Sequence, residues 1–162
     1  AEGEFAAILC KGNPDLHLLC VDPWRVLPDF GSRSSQAEWD VIHATAIARL
    51  VPYGVEFLRE TSMDALAHVQ DASLDFVYID ANHDFPHVTE DLCGWTRKVR
   101  VGGIVAGHDY FKGKRMTWGH VQCVVDAWTA AYRIRPWFVL GRKWGEAGEV
   151  RDHNRSFFWV KT

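Results

Sequence analysis

The sequence lacks four patterns that mark whole classes of protein. Its 162 residues contain no apolar run near the roughly 20 residues that a bilayer span needs, and no signal-peptide pattern. Lys and Arg form no long run and the net charge is −3, so nothing in the composition favours nucleic acid or an anionic membrane as a partner. The four cysteines show no C-x-x-C spacing, which favours free thiols over a zinc site or disulfides. We therefore expect a cytoplasmic protein that binds neither nucleic acid nor membrane.

Helix-like and strand-like patterns alternate along the chain and predict an α/β fold. No internal repeat, low-complexity tract or linker divides the sequence, so we expect one domain over residues 1–162. Strands that alternate with helices predict β-α-β units and a mostly parallel sheet. The last two strands have no helical pattern between them and should pair as an antiparallel hairpin. The predicted strands are 16–22, 55–60, 74–80, 104–108, 137–140 and 157–161, and the predicted helices begin near residues 5, 35, 63, 85 and 120.

Local signals predict where two of these helices begin and where one ends. Ser35 and Glu38 have the spacing of a capping box, in which the side chains and backbone amides of two residues bond reciprocally. Asp84 can cap the helix after the third strand, with Pro86 in its first turn. We expect that helix to end at the glycine pair 102–103, before the next strand.

Two apolar stretches each end in an acid and a histidine. LDFVYIDANHDF carries Asp80 and His83 at its end, and VGGIVAGHDYF carries His108 and Asp109. Asp22 also follows a predicted strand. Ligands of parallel α/β sheets bind at the carboxyl ends of the strands, so these side chains should meet at one rim of the sheet. Each acid alone could instead be a helix cap or a turn residue.

Several segments occur in the order of one family's motifs. The longest are LDFVYIDANHDFPHVTEDLCGW and VRVGGIVAGHDY, and the shorter ones are AEGEFAAIL, VDPW, VVDAW and SFFWVK. Together they resemble the class I S-adenosylmethionine-dependent methyltransferases, in particular their metal-associated small-molecule O-methyltransferase-like group. This resemblance implies a Rossmann-like methyltransferase sandwich with a mostly parallel sheet, and S-adenosylmethionine as the cofactor.

The resemblance covers nearly the whole chain but leaves out the beginning of the family pattern. In the family, a first strand and the first glycines of the cofactor loop come before the position of Ala1, and only Gly3 of that loop is present here. We expect either that the sequence is an N-terminally incomplete piece of a longer polypeptide, or that another segment supplies the strand.

The resemblance also implies which residues hold the cofactor. Asp22 would accept hydrogen bonds from both ribose hydroxyls, since a carboxylate offers two acceptor oxygens. Trp24 would pack against the ribose or the substrate, or would belong to the core. Ser62 and Met63 would meet the adenine, although Ser62 could equally be a helix cap. The complete set of candidate cofactor residues is Gly3, Glu4, Phe5, Asp22, Trp24, Ser62, Met63 and Asp80.

The candidate catalytic residues are Asp80, His83, His108 and Asp109, which are the acid and the histidine at the end of each of the two apolar stretches. We call these two pairs the acid–histidine tips. Asp80, Asp109 and His108 could hold a divalent cation (Mg²⁺, Mn²⁺ or Ca²⁺), and either histidine could be a ligand, a base or a substrate contact. The alternative is a site without metal, because Tyr110 follows Asp109 where many metal-using relatives have a further acid. Lesser candidates are Asp84, His87 and His120, and the loops 111–120 and 141–155 should form the acceptor pocket.

The leading functional hypothesis is methyl transfer from S-adenosylmethionine to a hydroxyl group of a small molecule. One alternative is metal-assisted hydrolysis by the same acid–histidine cluster. A second alternative is a nucleotide-binding domain without catalysis. A homodimer and a monomer are both compatible with the sequence.

Overall fold

A computed structural model describes residues 1–28, 35–111, 119–141 and 154–162. The chain divides into two units, Ala1–Ala65 and Leu66–Thr162. One sheet has two strands and the other has four, and helices accompany both, as the predicted α/β class requires. Within the described ranges, no helix is long and apolar enough to cross a membrane.

The first unit combines helices with a short parallel sheet. Strands β1 and β2 pair in parallel, with Cys20 opposite Phe57. Both strands are shorter than the sequence predicts. The elements in chain order are α1 (Glu4–Gly12), β1 (Leu19–Val21), α2 (Gln36–Leu50), a 3₁₀ helix (Val51–Tyr53), β2 (Glu56–Leu58) and α3 (Ser62–Ala65).

Helix α2 begins with the predicted capping box. The Ser35 hydroxyl accepts a hydrogen bond from the Glu38 amide at 3.3 Å, and the Glu38 carboxylate accepts one from the Ser35 amide at 2.6 Å. Two amide groups that the helix itself cannot satisfy are thereby bonded. At its other end α2 buries Leu50 completely, in a core shared with Ala7 and Cys10 of α1.

The second unit is built on a four-stranded sheet of order β3-β4-β6-β5. Strands β3 and β4 are parallel, whereas β6 pairs antiparallel with both β4 and β5. The predicted antiparallel hairpin is therefore confirmed. The elements are a 3₁₀ helix (Leu66–His68), β3 (Leu74–Ile79), α4 (Phe85–Lys98), β4 (Val99–Gly107), α5 (Val121–Ala131), β5 (Trp137–Leu140) and β6 (Ser156–Val160).

Alternation along β6 builds the core of this unit. Phe157 and Trp159 are almost completely buried, and Val105 of β4 is paired with Trp159. Leu92 of α4 and Val125 of α5 are fully buried in the same cluster. Burying each such side chain contributes about 1.5–3 kcal/mol, so this cluster holds α4 and α5 on the sheet.

The glycine pair 102–103 lies inside β4, and the expectation that it ends a helix was wrong. Helix α4 ends at Lys98, and β4 begins at the next residue, Val99. The register of β4 against β3 is irregular near the pair. A Cβ atom at Gly103 would lie 2.7 Å from the carbonyl oxygen of Asp75. Gly103 therefore allows the two backbones to approach closely, and the pair does not end the helix.

A buried lysine at the end of α4 is paired with an exposed acid. The Lys98 side chain is 10% exposed, and its Nζ lies 2.7 Å from Oδ1 of Asp71. The hydrogen bond from Lys98 lowers the pKa of Asp71 below its usual value. Since a buried ammonium without a partner is costly, this pair contributes to the stability of the unit while Asp71 is ionised.

Replacing Gly107 by Ala should destabilise the protein by about 1–3 kcal/mol, the range for overpacking a core. The added Cβ would lie 2.5 Å from Cζ of Phe157 and 2.6 Å from the carbonyl oxygen of Ile79. Urea denaturation measures the loss. The control is Gly12→Ala. The added Cβ would have no neighbour within 4 Å, so this substitution should not lower the free energy of unfolding. Equal midpoints for the two variants would contradict this packing.

The contribution of the Asp71–Lys98 pair should disappear in acid. The pKa of Asp71 is lower in the folded state, so the stability it contributes is present above the unfolded value of about 3.9 and is lost as pH falls through the folded value. Asp71→Asn should therefore lower the urea midpoint at pH 7 and leave it close to that of the wild type once the pH is below the folded-state pKa of Asp71. Asp15→Asn, on an exposed acid, serves as the control. A difference that persists unchanged in acid would exclude this pair as its source.

Candidate functional site

Parallel pairing brings the two acid–histidine tips together in the second unit. Ile79 and Gly107 are opposite each other at the carboxyl ends of β3 and β4. The His108 amide donates a hydrogen bond to the carbonyl oxygen of Ile79 at 3.0 Å, which extends the pairing by one residue. Asp80 and Asp109 follow these paired residues, so the two acids stand at adjacent strand ends.

The four predicted catalytic side chains form one cluster. Nε2 of His83 lies 2.9 Å from Oδ2 of Asp109 and 3.5 Å from Oδ1 of Asp80. Nδ1 of His108 lies 3.5 Å from Oδ1 of Asp109 and 3.8 Å from Oδ1 of Asp80. The Asp109 side chain is 9% exposed and that of Asp80 is 50% exposed. Asp109 is thus the internal acid of the cluster, and Asp80 is the acid that solvent reaches.

Burial and hydrogen bonding act in opposite directions on the charges of this cluster. Burial lowers the pKa of His83, but hydrogen bonds to Asp109 and Asp80 outweigh it and raise that pKa to about 9. Burial likewise raises the pKa of Asp109, but hydrogen bonds from His108 and His83 outweigh it and hold that pKa well below its usual range. At neutral pH the arrangement is an imidazolium on a carboxylate. His83 in this state is a hydrogen-bond donor, whereas a general base has to be neutral.

Two further segments of the second unit hold the cluster. The amide of Asn154 donates a hydrogen bond to Oδ1 of Asp109, and the Tyr110 amide donates to the carbonyl oxygen of Arg155 at 2.8 Å. The His120 amide donates to the carbonyl oxygen of His83 at 2.8 Å. Sequence reasoning did not single out Asn154, since it lies in a polar stretch with no motif. Most of the predicted pocket loops, residues 112–118 and 142–153, lies outside the described residues.

Asp84 and His87 form a separate pair at the start of α4. Asp84 caps the helix as predicted, since its Oδ1 accepts a hydrogen bond from the His87 amide at 3.1 Å. The same oxygen lies 2.6 Å from Nδ1 of His87, and Asn82 also contacts this ring at 3.2 Å. Pro86 stands in the first turn, as expected. These contacts explain Asp84 and His87 as helix-start residues.

Asp22 and Trp24 lie after β1 in the first unit. Oδ1 of Asp22 accepts a hydrogen bond from the Trp24 amide at 2.8 Å, and the Asp22 side chain remains 26% exposed. Trp24 is 2% exposed, and its ring lies 4.6 Å from that of His43 and 6.1 Å from that of Phe57. Its indole nitrogen donates to the carbonyl oxygen of Ala1 at 3.0 Å. This burial favours the alternative in which Trp24 belongs to the core.

The other candidate cofactor residues of the first unit lie at two helix starts. Gly3 precedes α1 with φ of 74°, and a Cβ there would lie 2.7 Å from Cδ1 of Leu50. Glu4 and Phe5 form the start of α1, and no side chain caps that end. The start of a helix attracts anions through its amide groups and its dipole. The remaining two candidates, Ser62 and Met63, are the first residues of α3 and are half-buried.

Three side chains of the cluster have the arrangement of a cation site. One ligand atom each from Asp80, His83 and Asp109 lies within 4.8 Å of the others. The sequence placed His108 in the ligand set and left His83 open as a further ligand, and within the described part of the chain the geometry groups His83 with the two acids. The reason is that His83 reaches back from the loop after β3 to within 2.9 Å of Asp109. Two carboxylates and an imidazole are suitable ligands for Mn²⁺ or another transition metal ion.

Comparison with known families shows which family the chain belongs to. Residues 1–110 match the family model described as a methyltransferase domain. The chain belongs to the methyltransferase domain family. Neither the hydrolase alternative nor the non-catalytic alternative is favoured by this membership. No curated protein sequence matches the chain significantly.

Solved structures share the fold of this methyltransferase-family chain at low sequence identity. One is the O-methyltransferase TomG from Streptomyces achromogenes in complex with SAM, with a TM-score of 0.62, 16% identity, and 99% of this chain and 70% of TomG covered. Another is an O-methyltransferase from Bacillus cereus in complex with SAH, with a TM-score of 0.55, 12% identity, and 99% and 80% covered. A third is an O-methyltransferase family protein from Burkholderia thailandensis, with a TM-score of 0.66, 12% identity, and 99% and 48% covered.

The chain spans only part of the length of several matched structures. For example, it covers 64% of the length of another one, the O-methyltransferase NovP. At these identities the likeness shows a shared fold. The Rossmann-like methyltransferase architecture predicted from the motifs is therefore confirmed.

Proposed function

We propose that the protein transfers the methyl group of S-adenosylmethionine to a hydroxyl group of a small molecule. The observation that carries this proposal is the acid–histidine cluster at the carboxyl ends of β3 and β4, in a chain of the methyltransferase domain family. The structures of TomG with SAM and of the Bacillus cereus enzyme with SAH support the choice of cofactor. Their description as O-methyltransferases supports the choice of a hydroxyl acceptor.

The first unit would bind the cofactor through residues after β1 and at helix starts. The Trp24 amide holds one oxygen of Asp22 at 2.8 Å, which fixes the orientation of the carboxylate. A carboxylate held in this way suits a vicinal diol, because its two oxygens can accept from two neighbouring hydroxyls. Gly3 and Glu4 at the start of α1 would interact with the methionine carboxylate through the helix amides.

The cluster of the second unit would orient the acceptor hydroxyl. Asp80 is the half-exposed member, so it is the carboxylate that an acceptor can reach, and it would accept the hydrogen bond of the hydroxyl. His83 and Asp109 form the ion pair behind it, and the positive charge of His83 would stabilise negative charge that develops on the acceptor oxygen. His108 lies beside both acids and is the candidate for taking the proton.

The donor set of Asp80, His83 and Asp109 also fits a divalent cation. When bound, such an ion would lower the pKa of an acceptor hydroxyl. His83 would have to give up its proton to serve as a ligand, because a ligand imidazole is neutral. We therefore include Mg²⁺ or Mn²⁺ in the proposal as a cofactor of this cluster.

Replacing Asp22 by Ala should weaken the binding of S-adenosylhomocysteine by about 1.5–3 kcal/mol, the range for hydrogen bonds to a charged group. Isothermal titration calorimetry on the wild type and the variant measures this difference. Asp15→Ala, on an exposed acid of the same unit, is the matched control and should bind as the wild type does. Wild-type affinity in Asp22→Ala would remove this residue from the cofactor site.

Turnover should depend on the cluster. Methyl-labelled S-adenosylmethionine is offered with a panel of hydroxyl-bearing small molecules, before and after treatment with a chelator, and then with Mg²⁺ or Mn²⁺ restored singly. The double variant Asp80→Asn, Asp109→Asn should lose at least about 100-fold in rate, because it removes the charges that orient and activate the acceptor. Asp75→Asn, at the other end of β3, should retain activity.

These assays separate the parts of the proposal. Full activity after chelation would exclude the cation and leave the His83–Asp109 ion pair as the activating group. Wild-type turnover in the double variant would exclude the whole cluster. If the protein binds S-adenosylhomocysteine but methylates no acceptor in a broad panel, the proposed reaction is wrong while the cofactor site stands.

A further inference from the structure

The turn that carries Asp109 has a backbone conformation that has to be held in place. Asp109 has φ of 56°, in the left-handed region that few residues other than glycine adopt. The amide of Phe111 donates to the carbonyl oxygen of Asp109 at 2.6 Å, which closes the turn tightly. A conformation of this kind costs free energy and persists only where surrounding contacts determine it.

The segment that leads into β6 makes contacts with both the side chain and the backbone of this turn. The Asn154 amide donates to Oδ1 of Asp109, and the carbonyl oxygen of Arg155 accepts from the Tyr110 amide at 2.8 Å. The Arg155 guanidinium also lies over the Tyr110 ring, 5.3 Å from its centre. Because Ser156 begins β6, these contacts connect the turn to a strand of the sheet core.

The chemistry of the Asn154 contact determines the direction of the hydrogen bond. An aspartate carboxylate is ionised at neutral pH and only accepts hydrogen bonds, and the side-chain nitrogen of Asn154 is the atom that faces Oδ1 of Asp109. The group facing it has to be the NH₂ of the amide, since the amide oxygen would repel it. With Oδ1 bonded to Asn154, Oδ2 is the oxygen that faces Nε2 of His83 at 2.9 Å.

We propose that Asn154 is a positioning residue, which fixes the rotation of the Asp109 carboxylate and thereby the His83–Asp109 contact. The second torsion of an aspartate is broad, so a carboxylate held only by His83 and by the longer contact to Nδ1 of His108, at 3.5 Å, could rotate. Asn154 restricts this rotation, because it bonds the other carboxylate oxygen, Oδ1. The catalytic consequence rests on the proposed function, in which the His83–Asp109 pair stabilises charge on the acceptor, whereas the positioning itself can be measured without any reaction.

The test uses the imidazole signals of the intact chain in nitrogen-15 NMR. In the wild type, the His83 Nε2 proton should be hydrogen-bonded and protected from exchange with solvent. In Asn154→Ala and Asn154→Asp, that proton should exchange at least about tenfold faster, as expected for loss of a charge-assisted hydrogen bond. The Asp variant keeps the side-chain size and replaces the donor by a second carboxylate, which repels that of Asp109 at neutral pH. Faster exchange in this variant therefore does not come from lost packing. Affinity for S-adenosylhomocysteine should stay within about twofold in both variants.

The matched control is Asn13→Ala. The Asn13 amide also donates a hydrogen bond, to the carbonyl oxygen of Leu9 at 2.9 Å, but it caps α1 in the other unit. This variant should lose a comparable amount of stability and leave the exchange of the His83 proton unchanged. A signal that responds to Asn154 and not to Asn13 therefore reports positioning rather than general destabilisation.

Wild-type exchange of the His83 proton in folded Asn154→Asp would overturn the proposal, even if Asn154→Ala fails to fold. Equal acceleration in Asn13→Ala would also overturn it, because the effect would then be one of stability alone. If the wild type does not bind S-adenosylhomocysteine, the proposed function fails, and the exchange measurement still decides whether Asn154 positions Asp109.

Discussion

The parallel pairing of β3 with β4 is the constraint on which the candidate site depends. Neighbouring strands in a sheet lie about 4.8 Å apart, so parallel strands that end together deliver their next residues to the same small volume. Here the pairing of Ile79 with Gly107 sets Asp80 beside His108 and Asp109. Gly107 allows this approach, because a side chain there would collide with Phe157 and with the backbone of β3. The core and the site are therefore determined by the same register.

Bringing two carboxylates together has an electrostatic cost that the cluster itself offsets. Asp109 is almost completely buried, and a buried charge without a partner is strongly unfavourable. His83 supplies the opposite charge, and hydrogen bonds from Asn154 and the His108 side chain complete the set around Asp109. Asp80 stays half-exposed and needs less compensation from the protein. The two acids thus differ in role. Asp109 is internal and holds His83, whereas Asp80 is exposed and can contact a substrate.

Much of the architecture could be predicted because its signals are local. The capping box at Ser35 and Glu38 and the cap at Asp84 depend on residues three positions apart, and all of these appear as expected. The alternation of β5 and β6 without a helix between them was sufficient to predict an antiparallel hairpin. The glycine pair 102–103 was misread because a glycine pair after a helix usually marks a turn. The close approach of Gly103 to Asp75 is a tertiary contact, which the local sequence does not reveal.

For the site, the sequence by itself determined which residue types stand at the strand ends, and hence that acids and histidines would meet at one rim. It did not determine which histidine pairs with which acid, because that depends on how each loop turns back after its strand. Only the tertiary structure placed His83 against Asp109 and added Asn154, which is separated from Asp109 by 45 positions in the chain. Likewise only packing showed that Trp24 is buried against His43, since a tryptophan after a strand suits a pocket and a core equally well until its neighbours are in place.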